Sequence, residues 1–479
     1  MRSKGAPFVL ISVVLAAVDV LAAPALARAE EDEMPPKPVL DPSILPGPRI
    51  LYTARPHPAR DARFCSTRLP LCVHSPLAAN DVNALGVLDA FERAWATSTG
   101  ALELPPPDVD PDTLAYDVFL TDASDPLLAG DLAATPLEAR DVRSNMDRAR
   151  SFTVVDARVG RGCSLDALAA RSLARSMIHR GAPATDEATA RGQATFVSWL
   201  VAPCSVALST DAVATFQSRV DRALPDPRAD ELASAPDDPP FPSPSRAAAL
   251  YADGEAIVWS RVDWAFARAP GGFVLATWAL APTMTPVSAR RWNHEPDTYD
   301  VLRVSFKDRL STGSTIQDLF LDLGVARAFM GSADDGQHAP ETRSLGDAAR
   351  IPLDWDLPWP EAPRRVAPRM PVHPTGSSYV LIHRDGAKPG ARLRAELTWE
   401  EHALFRWVFV KLDREGRELG RIPIAAKERA TEAQMTLVDL DGVDRILLVG
   451  TNVGDPAYAF DPDEAVWEPH SWLLTIAAE

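Results

Sequence analysis

The chain of 479 residues is 46% hydrophobic and 24% charged, with 44 Pro, 25 Gly and 4 Cys. These are globular proportions, excluding wholesale disorder, a collagen-like repeat and a dense disulfide scaffold, and the length points to about three domains. The net charge of −17 argues against a phosphate backbone as partner, so no nucleic acid is expected.

Residues 1–29 have the features of a secretory signal peptide. Arg2 and Lys4 supply a positive start, Phe8 to Val18 a short apolar run, and Ala27-Arg28-Ala29 a cleavage site before Glu30. A membrane anchor is the competing reading; it fails because Asp19 ends the run well short of the ~20 apolar residues a span requires. No later segment is long and apolar enough to span. The first cysteine is Cys65, too distant for lipid attachment at the cleavage site. The expectation is an exported bacterial chain, secreted or periplasmic, with no membrane span after cleavage.

Export permits disulfides, and the expected pairs are Cys65–Cys72 and Cys163–Cys204. Zinc is the competing use, but the spacings lack a tight Cys-x-x-Cys pair.

Residues 30–48 are an acidic, Pro-rich leader. Phe64 to His74 contains a strand. Ala78 to Ser98 is helical, with Leu85, Leu88, Phe91 and Trp95 as its apolar stripe and Asn80 or Asp81 as N-cap. Tyr116–Leu120 reads as an edge strand and Ser151–Val159 as a strand; helices follow over Ser164–Arg180, Asp186–Ala202 and from about Asp211 to Leu224. Cys163 opens the first of these helices and Cys204 closes the second, so an antiparallel hairpin brings the two cysteines side by side. Residues 225–245 form a Pro/Asp/Ser linker or surface loop. Ala247–Arg268, Gly271–Leu280, Thr298–Leu310 and Thr315–Met330 read as helices. After the Pro-rich stretch 331–376, seven short β-rich runs (Ser378–His383, Leu393–Trp399, Phe405–Leu412, Ile422–Ala426, Met435–Val438, Ile446–Val449, Trp472–Ile476) predict an antiparallel sandwich. Within it, Phe405, Trp407 and Phe409 should face inward and Arg406 outward, and residues 365–479 should fold alone.

Four motifs are missing: His-Glu-x-x-His, Gly-x-Ser-x-Gly, a phosphate-binding Gly-x-x-x-x-Gly-Lys and a Gly-rich dinucleotide loop. The order strand, helix, edge strand, strand, two helices over 64–225 resembles the N-terminal lobe of secreted gluzincin-type zinc metallopeptidases. In that family the helix after the last strand carries two zinc histidines and a general-base glutamate, and the next helix carries the third ligand. The matching positions here are Arg171, Ser172 and Arg175 in AARSLARSM, and Arg191 in RGQATF. A guanidinium has no lone pair to give a cation, and serine cannot replace the carboxylate base. The resemblance therefore implies a degenerate, non-catalytic relative with no cofactor. Three other readings stand beside it: Arg171, Arg175 and His179 as the wet face of an amphipathic helix, the arginines as an anion site, and a triad assembled through space.

Asp81, Asn83, Asp89 and Glu92 match a calcium loop except at Leu85; the competing reading is a helix capped by Asp81. Asp108, Asp110 and Asp112 read as a polar turn, and Trp355 and Trp359 as packing rather than sugar-stacking residues.

The fold class expected is α+β and multidomain: a zincin-like α/β lobe over 49–225, a helical lobe over 246–345, a linker over 346–364 and an antiparallel β-sandwich over 365–479. The function expected is a binding or structural module acting on an unidentified protein or cell-envelope partner. The alternative is an exported peptidase or esterase whose catalytic residues the sequence does not display.

Overall fold

The structure, a computed structural model, describes residues 52–58, 61–76, 81–128, 131–141, 148–183, 185–224, 246–280, 298–299, 301–302, 315–401, 403–426, 430–454 and 468–479. The segments read as a signal peptide, a leader and the 225–245 linker, and most of the segment read as a helix over Thr298–Leu310, lie outside these residues.

The architecture is mixed α and β, with several sheets. Strands β1 (Ala62–Cys65), β2 (Leu71–Ser75), β3 (Tyr116–Thr121), β4 (Ala133–Ala134) and β7 (Thr153–Asp156) form a sheet ordered β1-β2-β3-β7-β4, while β5 (Leu137–Arg140) and β6 (Ala149–Ser151) form a separate ribbon. β2, β3 and β7 run parallel, and β1 and β4 close the two edges antiparallel. Tyr116–Leu120, expected at an edge, is central. Five of the six β3 residues are buried, as a strand covered on both faces requires.

Helix α1 (Val82–Ala96) lies between β2 and β3 in sequence. Asp81 caps it by accepting from the Asn83 amide. Its buried stripe is Ala84, Val87, Ala90, Phe91, Ala94 and Trp95, and Leu85, expected inside, is half exposed. Small alanines let this side of the helix approach the core closely, so the helix turns the stripe away from the bulkier Leu85.

Helices α2 (Cys163–Gly181) and α3 (Glu187–Val201) form the expected hairpin, followed by the short α4 (Ser205–Leu208) and α5 (Thr210–Gln217). Both disulfides are present, Cys65–Cys72 across β1 and β2 and Cys163–Cys204 across the hairpin ends. The segment read as one helix over Ala247–Arg268 is two, α6 (Arg246–Gly254) and α7 (Ala256–Phe266), broken at Glu255. Helices α8 (Gly272–Leu280) and α9 (Ile316–Arg327) complete the block, α9 with a capping box between Thr315 and Asp318.

One continuous apolar core runs from Leu71 and Phe91 through Leu173, Phe196 and Phe216 to Trp259, Trp278 and Leu319. The 49–225 and 246–345 segments share it, so they are not two separately cored lobes.

The C-terminal part is two sheets packed face to face. One is ordered β13-β12-β15-β10-β8, from β8 (Trp355–Leu357), β10 (Ser377–His383), β12 (Phe405–Leu412), β13 (Glu418–Ile424) and β15 (Arg445–Asn452). The other is ordered β14-β11-β16-β9, from β9 (Arg364–Val366), β11 (Leu393–Trp399), β14 (Glu432–Leu437) and β16 (Trp472–Ala478). Phe405, Trp407 and Phe409 point into the space between the sheets, against Val380, Leu397 and Leu474, and Arg406 is half-buried.

Two expectations need correction. Residues 346–364, read as a linker, contain β8 and the start of β9, each paired into one of the two sheets. The larger sheet is also buried on its second face, where Tyr379, Val408, Val410, Leu412, Leu447 and Val449 pack against Val325 and Phe329 around α9. β12 therefore buries residues on both faces, which a free-standing two-sheet module would not require.

Candidate functional site

Arg171 and Arg175 stand one turn apart on α2, set by a helix whose other faces are filled by Leu165, Ala169, Leu173, Met177 and Ile178. Arg191 comes from α3, whose start is fixed by Asp186 accepting from the Thr189 amide at 2.8 Å. The antiparallel hairpin brings all three guanidiniums together.

They meet carboxylates. Arg191 grips Asp253 at the end of α6 with two parallel bonds, Nε to Oδ1 at 2.9 Å and Nη2 to Oδ2 at 3.0 Å, and Arg171 Nη1 donates to the same Oδ2 at 3.0 Å. Arg175 Nη2 donates to Glu187 Oε2 at 2.6 Å. Arg191 Nη1 also lies 3.7 Å from Asp131 and 3.9 Å from Glu187. Three cations thus face three anions. Burial alone would raise the Asp253 carboxyl, but Arg171 and Arg191 hold it below the usual carboxylate range. For Arg191, burial works against the charge, and the Asp253 carboxylate outweighs it, so the guanidinium is raised well above its ordinary value.

Two further buried titratable groups lie near the cluster. Burial, reinforced by Asp186, drives the Glu255 carboxyl well above its ordinary range; one oxygen accepts from Trp259 Nε1 at 3.2 Å. Gly192 permits this approach, since a Cβ there would stand 2.8 Å from the Glu255 Cβ. Burial, then the Arg175 charge, pushes His179 well below its ordinary value and leaves it neutral.

Of the residues singled out by sequence, Arg171, Arg175 and Arg191 are brought together. Ser172 is buried and its carbonyl accepts from Ser176 Oγ. Asp253, Glu187, Asp131 and Glu255 were not anticipated. Glu187 and Arg191 have the i, i+4 charge spacing that flags a helix pair, and Asp253-Gly254 is a turn dipeptide inside what was read as one helix.

The calcium candidates form no loop. Asp81 caps α1, Asp89 pairs with Arg93 one turn on, and Glu92 accepts from Arg68 at 2.8 Å. Asp110 folds a polar turn, accepting from the amides of Asp112 and Thr113. Trp359 is buried, and Trp355 donates to the Ala367 carbonyl.

The donor chemistry at the matched positions does not fit zinc. Guanidiniums cannot ligate it, and the nearby carboxylates are already neutralised by them. Among the described residues no group of three His, Cys, Asp or Glu is placed to hold a metal ion, and no helix is long and apolar enough to cross a membrane.

A second buried network lies on the first sheet. His74 sits between Asp61 (2.9 Å from Nδ1) and Asp117 (3.0 Å from Nε2), its ring stacked on Phe119, while Arg55 bridges Asp117, Asp110 and Glu138.

No family model matches this chain, and no curated protein does. Among solved structures, the pre-peptidase C-terminal domain of collagenase from Bacillus anthracis is 8% identical, with a TM-score of 0.18, over 27% of this chain and 99% of that one. The infectious bursal disease virus VP2 subviral particle is 9% identical, with a TM-score of 0.13, over 25% of this chain and 40% of that one. Neither likeness is strong enough to bear on fold or function.

Proposed function

We propose that the protein is an exported, non-catalytic relative of the secreted gluzincin metallopeptidases, serving as a binding or structural module for a protein or cell-envelope partner. The observation that carries this reading is the charge inversion at the matched positions. Where the family gathers ligands around a cation, Arg171 and Arg191 gather around the Asp253 carboxylate. The α2–α3 hairpin directly after β7 supports the resemblance, with the antiparallel edge strand beside β7 supplied by β4 and not by Tyr116–Leu120. The two disulfides suit an oxidising compartment. The apolar seam between α9 and the C-terminal sheet supports a structural role, because it fixes that sheet to the helical block.

The test uses purified mature protein. Elemental analysis after dialysis is expected to find no stoichiometric zinc, and a panel of peptidase and esterase substrates, with and without chelator, no turnover. One zinc per chain, or hydrolysis abolished by chelator, would overturn the proposal.

A further inference from the structure

Among the described residues two arginines are almost wholly buried, Arg261 at 7% exposure and Arg327 at 2%. Arg261 gives its Nη2 to the Asp322 carboxylate at 2.9 Å. Arg327, the last residue of α9, is partnered differently. Its Nε donates to Gln217 Oε1 and its Nη2 to the Phe216 carbonyl, both at 2.9 Å. The guanidinium lies over the Phe216 ring, with Cζ 4.3 Å from the centroid. All three partners are neutral. Its Nη1 is buried and has no hydrogen-bond partner, and among the described residues no Asp or Glu pairs with it.

The surroundings supply no whole negative charge. Gln217 spends Nε2 on the Arg327 and Ala349 carbonyls, at 3.2 and 2.8 Å. The Tyr379 hydroxyl, close enough to feel the Arg327 charge, donates to the Gly324 carbonyl at 2.6 Å. Asp322, on the same helix, is taken by Arg261 and Arg421. The carbonyl ends of α5 and α9 lie beside the guanidinium, but a helix C-terminus carries only about half a charge, spread over several carbonyls. A guanidinium keeps its positive charge wherever it is buried, and a buried charge with no counter-ion is costly. Gln217 makes the arrangement rigid: by accepting from Nε and donating to the main chain of the same residue, it holds the guanidinium in one orientation.

We propose that Arg327 Nη1 holds a small monovalent inorganic anion, chloride in ordinary solution, as an internal counter-ion where α5 meets α9. Burial fixes the class of ligand. A partner's carboxylate or an anionic polymer cannot reach an atom so enclosed, and a divalent oxyanion would over-compensate a single positive charge. The two hydrogens of Nη1 are the donors. The ion is trapped as the helices close on folding, so its binding is linked to stability. This inference does not depend on the peptidase resemblance.

Urea unfolding of the full chain tests it, with sodium chloride replacing sodium gluconate at fixed ionic strength. One chloride bound to the native state alone means that, above its dissociation constant, each tenfold rise in chloride raises the folding constant about tenfold. Arg327→Met removes charge and donors together, so the chloride dependence is expected to vanish in that variant. Crystals of the wild type grown in bromide are expected to show an anomalous peak at hydrogen-bonding distance from Nη1. No chloride dependence in the wild type, an equal dependence in Arg327→Met, or no bromide at Nη1 would each overturn the proposal. A bromide peak without chloride dependence would mean binding at crystal concentration only, and would overturn it too. Should Arg327→Met not fold, the wild-type titration and the bromide map together decide.

Discussion

Replacing Asp253 with Asn removes the one negative charge on which Arg171 and Arg191 both close. Arg191 and Asp253 keep side-chain exposures of only 12% and 11%, and breaking a pair this buried costs about 3–5 kcal/mol, because the remaining charge has no solvent to turn to. The Arg171 side chain is 35% exposed, so its share is screened and adds under about 1 kcal/mol. Together these give about 4 kcal/mol. At about 2–4 °C per kcal/mol for a cooperative unit of this size, the thermal midpoint should fall by about 8–16 °C. Urea unfolding followed by circular dichroism measures it, with an unchanged slope showing that the native state itself is intact. The double change Asp253→Leu with Arg191→Met should recover much of the loss, since apolar replacement of a buried ion pair is often neutral. The loss should also shrink in acid. The folded Asp253 carboxyl lies below its unfolded value of about 3.9, so its contribution is complete above that and disappears as pH falls through the lower folded value. A single-variant cost under about 1 kcal/mol at neutral pH would refute the reasoning.

Gly450 lies opposite Trp407, and a Cβ there would stand 2.2 Å from the indole ring, so Gly450→Ala should cost about 1–3 kcal/mol. Trp407→Leu should relieve most of that penalty in a double-mutant cycle, and additive costs would show that the ring is not the obstacle. Residues 365–479 alone lack β8 and expose Tyr379, Val408, Val410 and Leu447, each stabilising by about 1.5–3 kcal/mol when buried. That fragment should unfold without cooperativity, and residues 315–479, which restore α9 and β8, should unfold cooperatively by calorimetry; a cooperative, monomeric 365–479 would count against the two-faced sheet. Burial lowers the His74 value, but hydrogen bonds to Asp117 and Asp61 raise it further, so it ends above its ordinary value. Its stabilisation is then complete below about pH 6.5 and lost as pH rises through the raised folded value, and the stability gap between wild type and His74→Asn should narrow along that path.

Local chemistry was legible wherever the sequence repeats with a structural period. The β11 and β12 boundaries, Leu393–Trp399 and Phe405–Leu412, and the α2–α3 hairpin follow from runs of apolar residues bounded by turn and capping signals. The two disulfides followed from an even cysteine count and, for Cys163–Cys204, from an antiparallel hairpin that forces its ends together. The i, i+4 spacing of Arg171 and Arg175 placed both on one helix face.

What faces that helix was decided by the tertiary structure. Asp253 lies 62 residues beyond Arg191 in the chain, and nothing local to either couples them. Glu255 breaks a helix that reads as continuous, because its approach to Gly192 is a contact between distant segments. The same holds for β12. Alternation showed which residues share a face, but only packing against α9 buries Val408 and Val410 as deeply as Phe405 and Phe409. Period sets the face of a strand or helix, whereas charge pairing and burial depend on which other segment arrives there.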